Sequence, residues 1–274
     1  MPILASTPKV EINSNRNYWS MVRELAVTDF KLKYQGSVFG YFWSLMKPLA
    51  IFGVLYLVFS VFVRIGSDIR NYPVYLLLGI VLWNYFAEST NNAMRSIVDK
   101  GDLIRKVYFP RLVIVLAGSI SALITLLLNL VIIVVFVLIA GIYPSILEIG
   151  GFILLLAEMF VLSLGISFFL AALYVKFRDF AYIWEVALQL LFYASAIIFP
   201  LNIVPHRFLQ VLTLSPITQI IQDSRKLIVY SKAISTFDSV HSLLRYVPYL
   251  LPFALLILGY LYFQRAASTF AENL

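Results

Sequence analysis

The sequence predicts an all-α integral membrane protein with six transmembrane helices, an N-terminal amphipathic helix at the membrane interface, and short re-entrant helices in the outer loop between spans five and six. Three observations carry this reading. Of 274 residues, 61% are hydrophobic and 13% charged, against roughly 45 to 50% and 25% in soluble domains. Apolar windows of about 20 residues, enough to cross a hydrocarbon core of about 30 Å, begin near Lys47 and recur toward the C-terminus. The basic residues are unevenly divided between the segments that connect these windows.

The spans are expected at 38–63, 72–94, 112–140, 149–175, 182–200 and 247–264. They leave no room for a soluble domain of ordinary size, so residues 1–274 read as one transmembrane domain. Lys47 and Pro48 interrupt the first span near its start, where a lysine can snorkel to the headgroups and a proline fits the early turns of a helix. The third run is longer than a bilayer requires and should tilt or protrude.

With the N-terminus inside, fourteen Lys and Arg fall on one side and seven on the other, a bias that puts both termini in the cytoplasm. The net charge of +7 then belongs to the membrane surface, and nucleic acid is not an expected partner. Cysteine is absent, which excludes disulfides and thiolate metal sites. No signal peptide is expected, because about forty mixed residues precede the first long apolar run.

Residues 14–34, plotted at about 100° per residue, gather Tyr18, Trp19, Val22, Leu25, Ala26, Phe30 and Leu32 on one side, with Ser20, Arg23, Glu24, Thr28 and Lys31 opposite. That pattern predicts an amphipathic helix lying at the cytoplasmic interface, the alternative being a surface helix packed on the bundle. The outer loop, 202–246, is too apolar for a solvated loop and too interrupted by Pro216, Gln219, Gln222 and Asp223 to cross. It reads either as two short helices dipping into the membrane, with protein or water satisfying their ends, or as a small extracellular cap.

No catalytic site is expected. A phosphate-cradling loop of the form G-x-x-x-x-G-K-[ST] is missing, and His206 and His241 have no metal-binding partner at a recognised spacing. Three acids fall inside the spans: Glu88 in a polar run near the cytoplasmic end, Glu185 within a turn of the inner interface, and Glu158 at greater depth. Ionisable groups there are either proton or polar pathways or are served by water and snorkelling. Phe52, Tyr56 and Phe59 share a face of the first span, while Gln189, Phe192 and Tyr193 mix rings with an amide on the fifth. Such walls suit a saccharide conduit, because sugars stack on rings and exchange hydrogen bonds with amides; interfacial belts and helix packing would also account for them.

Five segments occur together in order: TDFKLKYQGSVFGYFWSLMKPL (28–49), LLGIVLWNYFAES (77–89), DLIRKVYFPR (102–111), KFRDF (176–180) and LSPITQIIQDSRKLI (214–228). In order and spacing they resemble the permease subunits of bacterial ABC exporters for O-antigen, teichoic acid and capsular polysaccharide, the ABC-type-2 permease family. The match covers nearly the whole chain and is similar to a full-length member. Ser195-Ala196 and Ser215-Pro216 stand where this family often has Ser-Pro and Asn-Pro, both in the outer-facing region.

The resemblance implies a single transmembrane permease domain that is not an enzyme and binds no cofactor. It would act as a homodimer in the bacterial inner membrane with two copies of a separate ABC ATPase, which would hold ATP and Mg. The cargo implied is a polymer on a polyprenyl diphosphate lipid. The cytoplasmic turn with Asp102, Leu103, Arg105, Lys106, Val107, Tyr108, Phe109 and Arg111 would dock into the ATPase, apolar anchors supplying affinity and charges fixing register. Lys176, Arg178 and Asp179 would make a second, smaller contact. Positive-inside anchoring is the alternative for both turns. Lys31, Lys33 and Lys47, assisted by Arg23, would attract the diphosphate or ordinary anionic lipid. An exporter of drugs or small lipids on the same plan, and a proton-coupled transporter using Glu158 and Glu185, are the rival functions.

Overall fold

The computed structural model describes residues 14–37, 39–64, 69, 71–106, 110–229, 231, 233–239, 243–268 and 270, without the side chains of 14–17, 103, 105, 106, 206 and 238. The regular elements in these residues are all helical. In chain order they are α1 (Ser14–Tyr34), α2 (Phe42–Tyr56), α3 (Tyr72–Asp99), α4 (Gly101–Lys106), α5 (Arg111–Ile139), α6 (Ile146–Lys176), α7 (Phe180–Ala194), α8 (His206–Thr213), α9 (Pro216–Ile228), α10 (Thr236–Ser239) and α11 (Val247–Ala267). A π-helical turn, Leu57–Phe62, prolongs α2, and short 3-10 turns precede α8 and α11.

Among the described residues, four stretches are long and apolar enough to cross a membrane: Phe42–Phe62, Arg111–Ile139, Ile146–Lys176 and Leu243–Ala267. The helix α3 has the length, at 28 residues, but Asn84 and the polar run at 88–92 lower its hydropathy. It is nevertheless the axis of the bundle. Leu76, Leu77, Leu78, Ile80, Leu82 and Phe86 are completely buried, and α5, α6, α2, α9 and α7 all pack against α3. A central helix meets protein on every side, so polar groups on it are served by neighbouring helices rather than by lipid.

Helix ends follow local chemistry where it is available. Ser145 and Glu148 form a reciprocal capping box at the start of α6, satisfying donors that would otherwise be orphaned. Gly141, at φ +66°, turns the chain out of α5 in a conformation that favours glycine. Gly165 and Gly259 let α6 and α11 cross at backbone contact: a Cβ on Gly165 would lie 2.6 Å from the Leu256 nitrogen, and one on Gly259 would collide with the Gly165 carbonyl.

The fifth expected span, 182–200, needs correction. Its helix covers Phe180–Ala194, 15 residues, and the chain leaves it through Ala196 in the left-handed region at φ +49°. The carbonyls of Ala196 and Ile197 that would have continued the helix are held by Arg225 from α9 instead.

The segment 202–246, expected as an outer loop, does not stand apart from the bundle at α9. Ten of the thirteen residues of α9 are buried, packed on α6, α3 and α11. Gln219 meets Glu158, whereas Leu227 lies against Gly151, so α9 runs antiparallel to α6. Its first turn reaches about 18 Å along α6 from the Ile146 end at 1.5 Å per residue. Segment 216–228 is an element of the bundle.

The helix α1 does two things at once. Val22 and Ala26 are buried as the helix packs along α5, and Asp29 pairs with Lys100 at 2.5 Å. Trp19 and Leu32 remain 67% and 59% exposed, leaving an open apolar edge.

Candidate functional site

A cavity of about 900 Å³ opens between α1, α2, α3 and α5. Lys33 and Lys47 stand on its lining, together with Ser44, Asn84, Glu88, Thr125 and Asn129. Lys33 Nζ lies 2.7 Å from Glu88 Oε1, and the Thr125 hydroxyl donates to the same oxygen at 3.0 Å. One helical turn along α3 from Glu88 sits Asn84, whose amide nitrogen has no hydrogen-bond partner. On α5, Asn129 donates to the Thr125 carbonyl at 2.9 Å, while its own carbonyl oxygen is left unpaired in a side chain only 4% exposed.

Helical spacing builds this wall. Asn84 and Glu88 are four residues apart on α3, as are Thr125 and Asn129 on α5, so each pair falls on one face. Of the four residues expected at a lipid diphosphate, Lys33 and Lys47 come to the cavity; Arg23 and Lys31 are exposed and do not line it. Glu88, expected to rely on water or snorkelling, is held by protein groups.

A second cavity, about 770 Å³, lies between α1, α3, α5 and α7, with Arg95, Lys100 and Glu185 on its walls. It marks the basic end of the bundle. The turn at 100–111 starts there: α4 follows α3 directly, Asp102 is exposed, and Arg111 sits over the Phe270 ring at 5.8 Å. Val107, Tyr108 and Phe109 lie outside the described residues, as do the side chains of Leu103, Arg105 and Lys106. Lys176, Arg178 and Asp179 are exposed, and the charge of Arg178 acts on Asp99 at the end of α3. Both turns therefore share one end of the bundle.

The aromatic walls divide. Phe52 stacks on Tyr56 and meets Phe136 edge-on at 5.6 Å, Tyr56 stacks on Tyr72, and Phe192 packs against Trp83. These rings sit in the chain's own packing. Phe59 is half-buried, whereas Gln189 is exposed and Tyr193 is 66% exposed.

Two groups on α9 have no counterpart in the sequence reading. Arg225, counted there as an outer-loop charge, is completely buried. It donates to the carbonyls of Tyr75 (3.0 Å), Ala196 (2.9 Å) and Ile197 (2.6 Å). Burial lowers its pKa from the ordinary arginine value, against the influence of Tyr75 and Tyr72. The signal was present: Thr218, Gln222 and Arg225 make a polar stripe at helical spacing between isoleucines. The second group joins Glu158, Gln219, Asp223 and Tyr249. The Gln219 amide donates to Glu158 at 3.5 Å and Asp223 at 3.0 Å, and the Tyr249 hydroxyl donates to Asp223 at 2.6 Å. Burial raises the Asp223 carboxyl above its ordinary pKa, and the Tyr249 and Gln219 hydrogen bonds pull it back.

Long apolar helices around polar, charge-bearing cavities define a multi-pass membrane protein with a polar interior. The chain belongs to the ABC-2 type transporter family, whose profile matches residues 21–229. Among its relatives is the O-antigen export system permease protein RfbA of Klebsiella pneumoniae, 28% identical over 246 residues covering 90% of this chain and 92% of the relative. A second K. pneumoniae protein of that name is 30% identical over 73% of this chain and 76% of its own length. The polysialic acid transport protein KpsM of Escherichia coli is 20% identical over 76% of this chain and 81% of its own length.

Proposed function

We propose that this chain is the membrane-spanning subunit of an ATP-driven exporter that carries lipid-linked polysaccharide, such as O-antigen or teichoic acid on polyprenyl diphosphate, from the cytoplasmic side across the bacterial inner membrane. The observation that carries the reading is the family match over most of the chain, with relatives named for O-antigen export. ATP and Mg would be held by a separate ABC ATPase, two copies of which would bind under a homodimer of this chain; the family match supports the separate ATPase. Helices α2, α3, α5, α6, α7 and α11 serve as six spans, both termini are cytoplasmic, and α8 and α9 re-enter from outside with their polar groups satisfied by protein.

Closure of the ATPase pair would push on residues 100–111 and, more weakly, on 176–179. That motion passes directly into α3, the helix on which the bundle is built. The cavity between α1, α2, α3 and α5, called the slot below, favours a cargo with a polar head over a wholly apolar drug or lipid, because Lys33 and Lys47 stand on its lining and the Asn84 and Asn129 amides lie among its apolar side chains. The rival, a proton-coupled transporter using Glu158 and Glu185, is disfavoured by the family match.

Co-reconstitution with the cognate ATPase tests the reading. Polymer should stimulate ATP hydrolysis only when both subunits are present. Uphill transport by the isolated chain, or residues 100–111 mapping to the periplasmic surface, would overturn it.

A further inference from the structure

We propose that the slot between α2, α3 and α5 is a glycosyl-phosphate site within a single subunit, and that the phosphate takes the place of Glu88 at Lys33. The inference rests on the polysaccharide reading above and names the part of the cargo that the subunit grips.

In the slot Glu88 acts as an internal anion. It neutralises Lys33 at 2.7 Å where either charge alone would be costly near the hydrocarbon. The pair is easily opened, since the side chains are 38% and 21% exposed and such pairs contribute little net stability. A diphosphate brings more negative charge than a carboxylate and more acceptor oxygens, and it can engage Lys33 and Lys47 together. Glu88 then keeps the hydrogen bond from Thr125, so it is not left without a partner.

Deeper in the slot the chemistry changes. Asn84 offers a free donor and Asn129 a free acceptor, about one helical turn, roughly 6 Å, beyond Glu88 and Thr125 along their helices. Leaving such buried groups unpaired is unfavourable. A sugar hydroxyl or acetamido group both donates and accepts and can satisfy both; an alkyl chain cannot. Two lysines followed by the Asn84 and Asn129 amides, set among apolar side chains, match the order of a phosphate followed by its first sugar.

The test uses the full chain with its ATPase in lipid nanodiscs and three probes: a short polyprenyl diphosphate, the same lipid carrying one N-acetylglucosamine, and inorganic diphosphate. Glu88→Gln is expected to tighten both lipid probes, and Lys33→Gln to weaken both, each by roughly tenfold. Asn129→Leu, with Asn84→Leu as a second variant, is expected to weaken only the sugar-bearing probe. Unchanged affinities for the Glu88 and Lys33 variants, in protein that still co-purifies with the ATPase, overturn the site. Equal weakening of sugar-bearing and sugar-free probes by the asparagine variants overturns the sugar contact, and inorganic diphosphate competing as well as the lipids overturns the lipid-linked assignment. Export that continues while these affinities do not move removes this site alone; loss of ATP-dependent export in the wild type would instead remove the exporter reading.

Discussion

The guanidinium of Arg225 on α9 stacks on the ring of Tyr75 on α3 at 3.6 Å, in a place where neither residue reaches solvent. Three backbone carbonyls from two other segments complete its surroundings, and the Tyr75 hydroxyl donates to Gln222 at 3.3 Å. A Cβ on Gly79 would collide with the guanidinium, so the helix facing it must be bare there. One side chain thus fixes α9 to α3 and to the end of α7. Replacing Arg225 by Met is expected to cost roughly 3 kcal/mol, since it strands buried carbonyls. Arg225→Lys should recover only part of this, because an ammonium lacks the planar fork. Thermal unfolding in detergent measures both; wild-type midpoints would show the latch to be dispensable.

Tyr249→Phe removes the 2.6 Å hydrogen bond to buried Asp223 and should destabilise by about 1 to 2 kcal/mol. Glu158→Gln is different. The new amide can still accept from Gln219 and carries no charge into the bundle, so stability should hold or rise. ATP-dependent transport should also persist in Glu158→Gln. Loss of transport with normal protein levels would revive the proton-coupled alternative.

At the α6 and α11 crossing, Gly165→Leu and Gly259→Leu should sharply lower the yield of folded protein, because the added atoms meet backbone that cannot move aside. Gly150→Ala is the control. No atom lies within 4 Å of its added Cβ, and the helix should gain about 0.5 to 1 kcal/mol. Size-exclusion profiles of the three variants separate the cases.

Reversing Arg105 and Lys106 to Glu is expected to abolish co-purification with the ATPase and polymer-stimulated hydrolysis together. Reversal of Lys176 and Arg178 should weaken both less. If the second pair proves the more damaging, the principal contact lies at the α6–α7 turn.

Lys31→Glu with Lys33→Glu should block polymer export in a strain with normal protein levels. Because only Lys33 lines the slot, Lys33→Glu alone should account for most of the loss. Intact export in the double variant would remove the diphosphate role from this face.

How much was legible depends on how far the causes reach along the chain. The long apolar runs behind α5 and α6 are visible in local composition, and their observed limits, Arg111–Ile139 and Ile146–Lys176, lie within three residues of the expected ones. The end of α7 was not legible, because it is set by Arg225, 28 residues beyond Ile197. In the same way, Lys33 and Glu88 are 55 residues apart, and no periodicity links them. Lys31 and Lys33 look equivalent in sequence. On a helix they are separated by about 200°, and α1 turns only one of them toward the slot.

The amino-acid order alone settled the long apolar runs behind α5 and α6 and where basic residues gather along the chain. Those properties are sums over neighbouring residues, and water or lipid acts on them before any tertiary contact forms. Tertiary structure alone decided which polar groups are buried and with whom, placing Arg225 inside the bundle and Glu88 opposite Lys33. The reason is physical: a polar side chain can be buried only where distant backbone or side-chain partners converge on it, and that convergence is a property of packed helices.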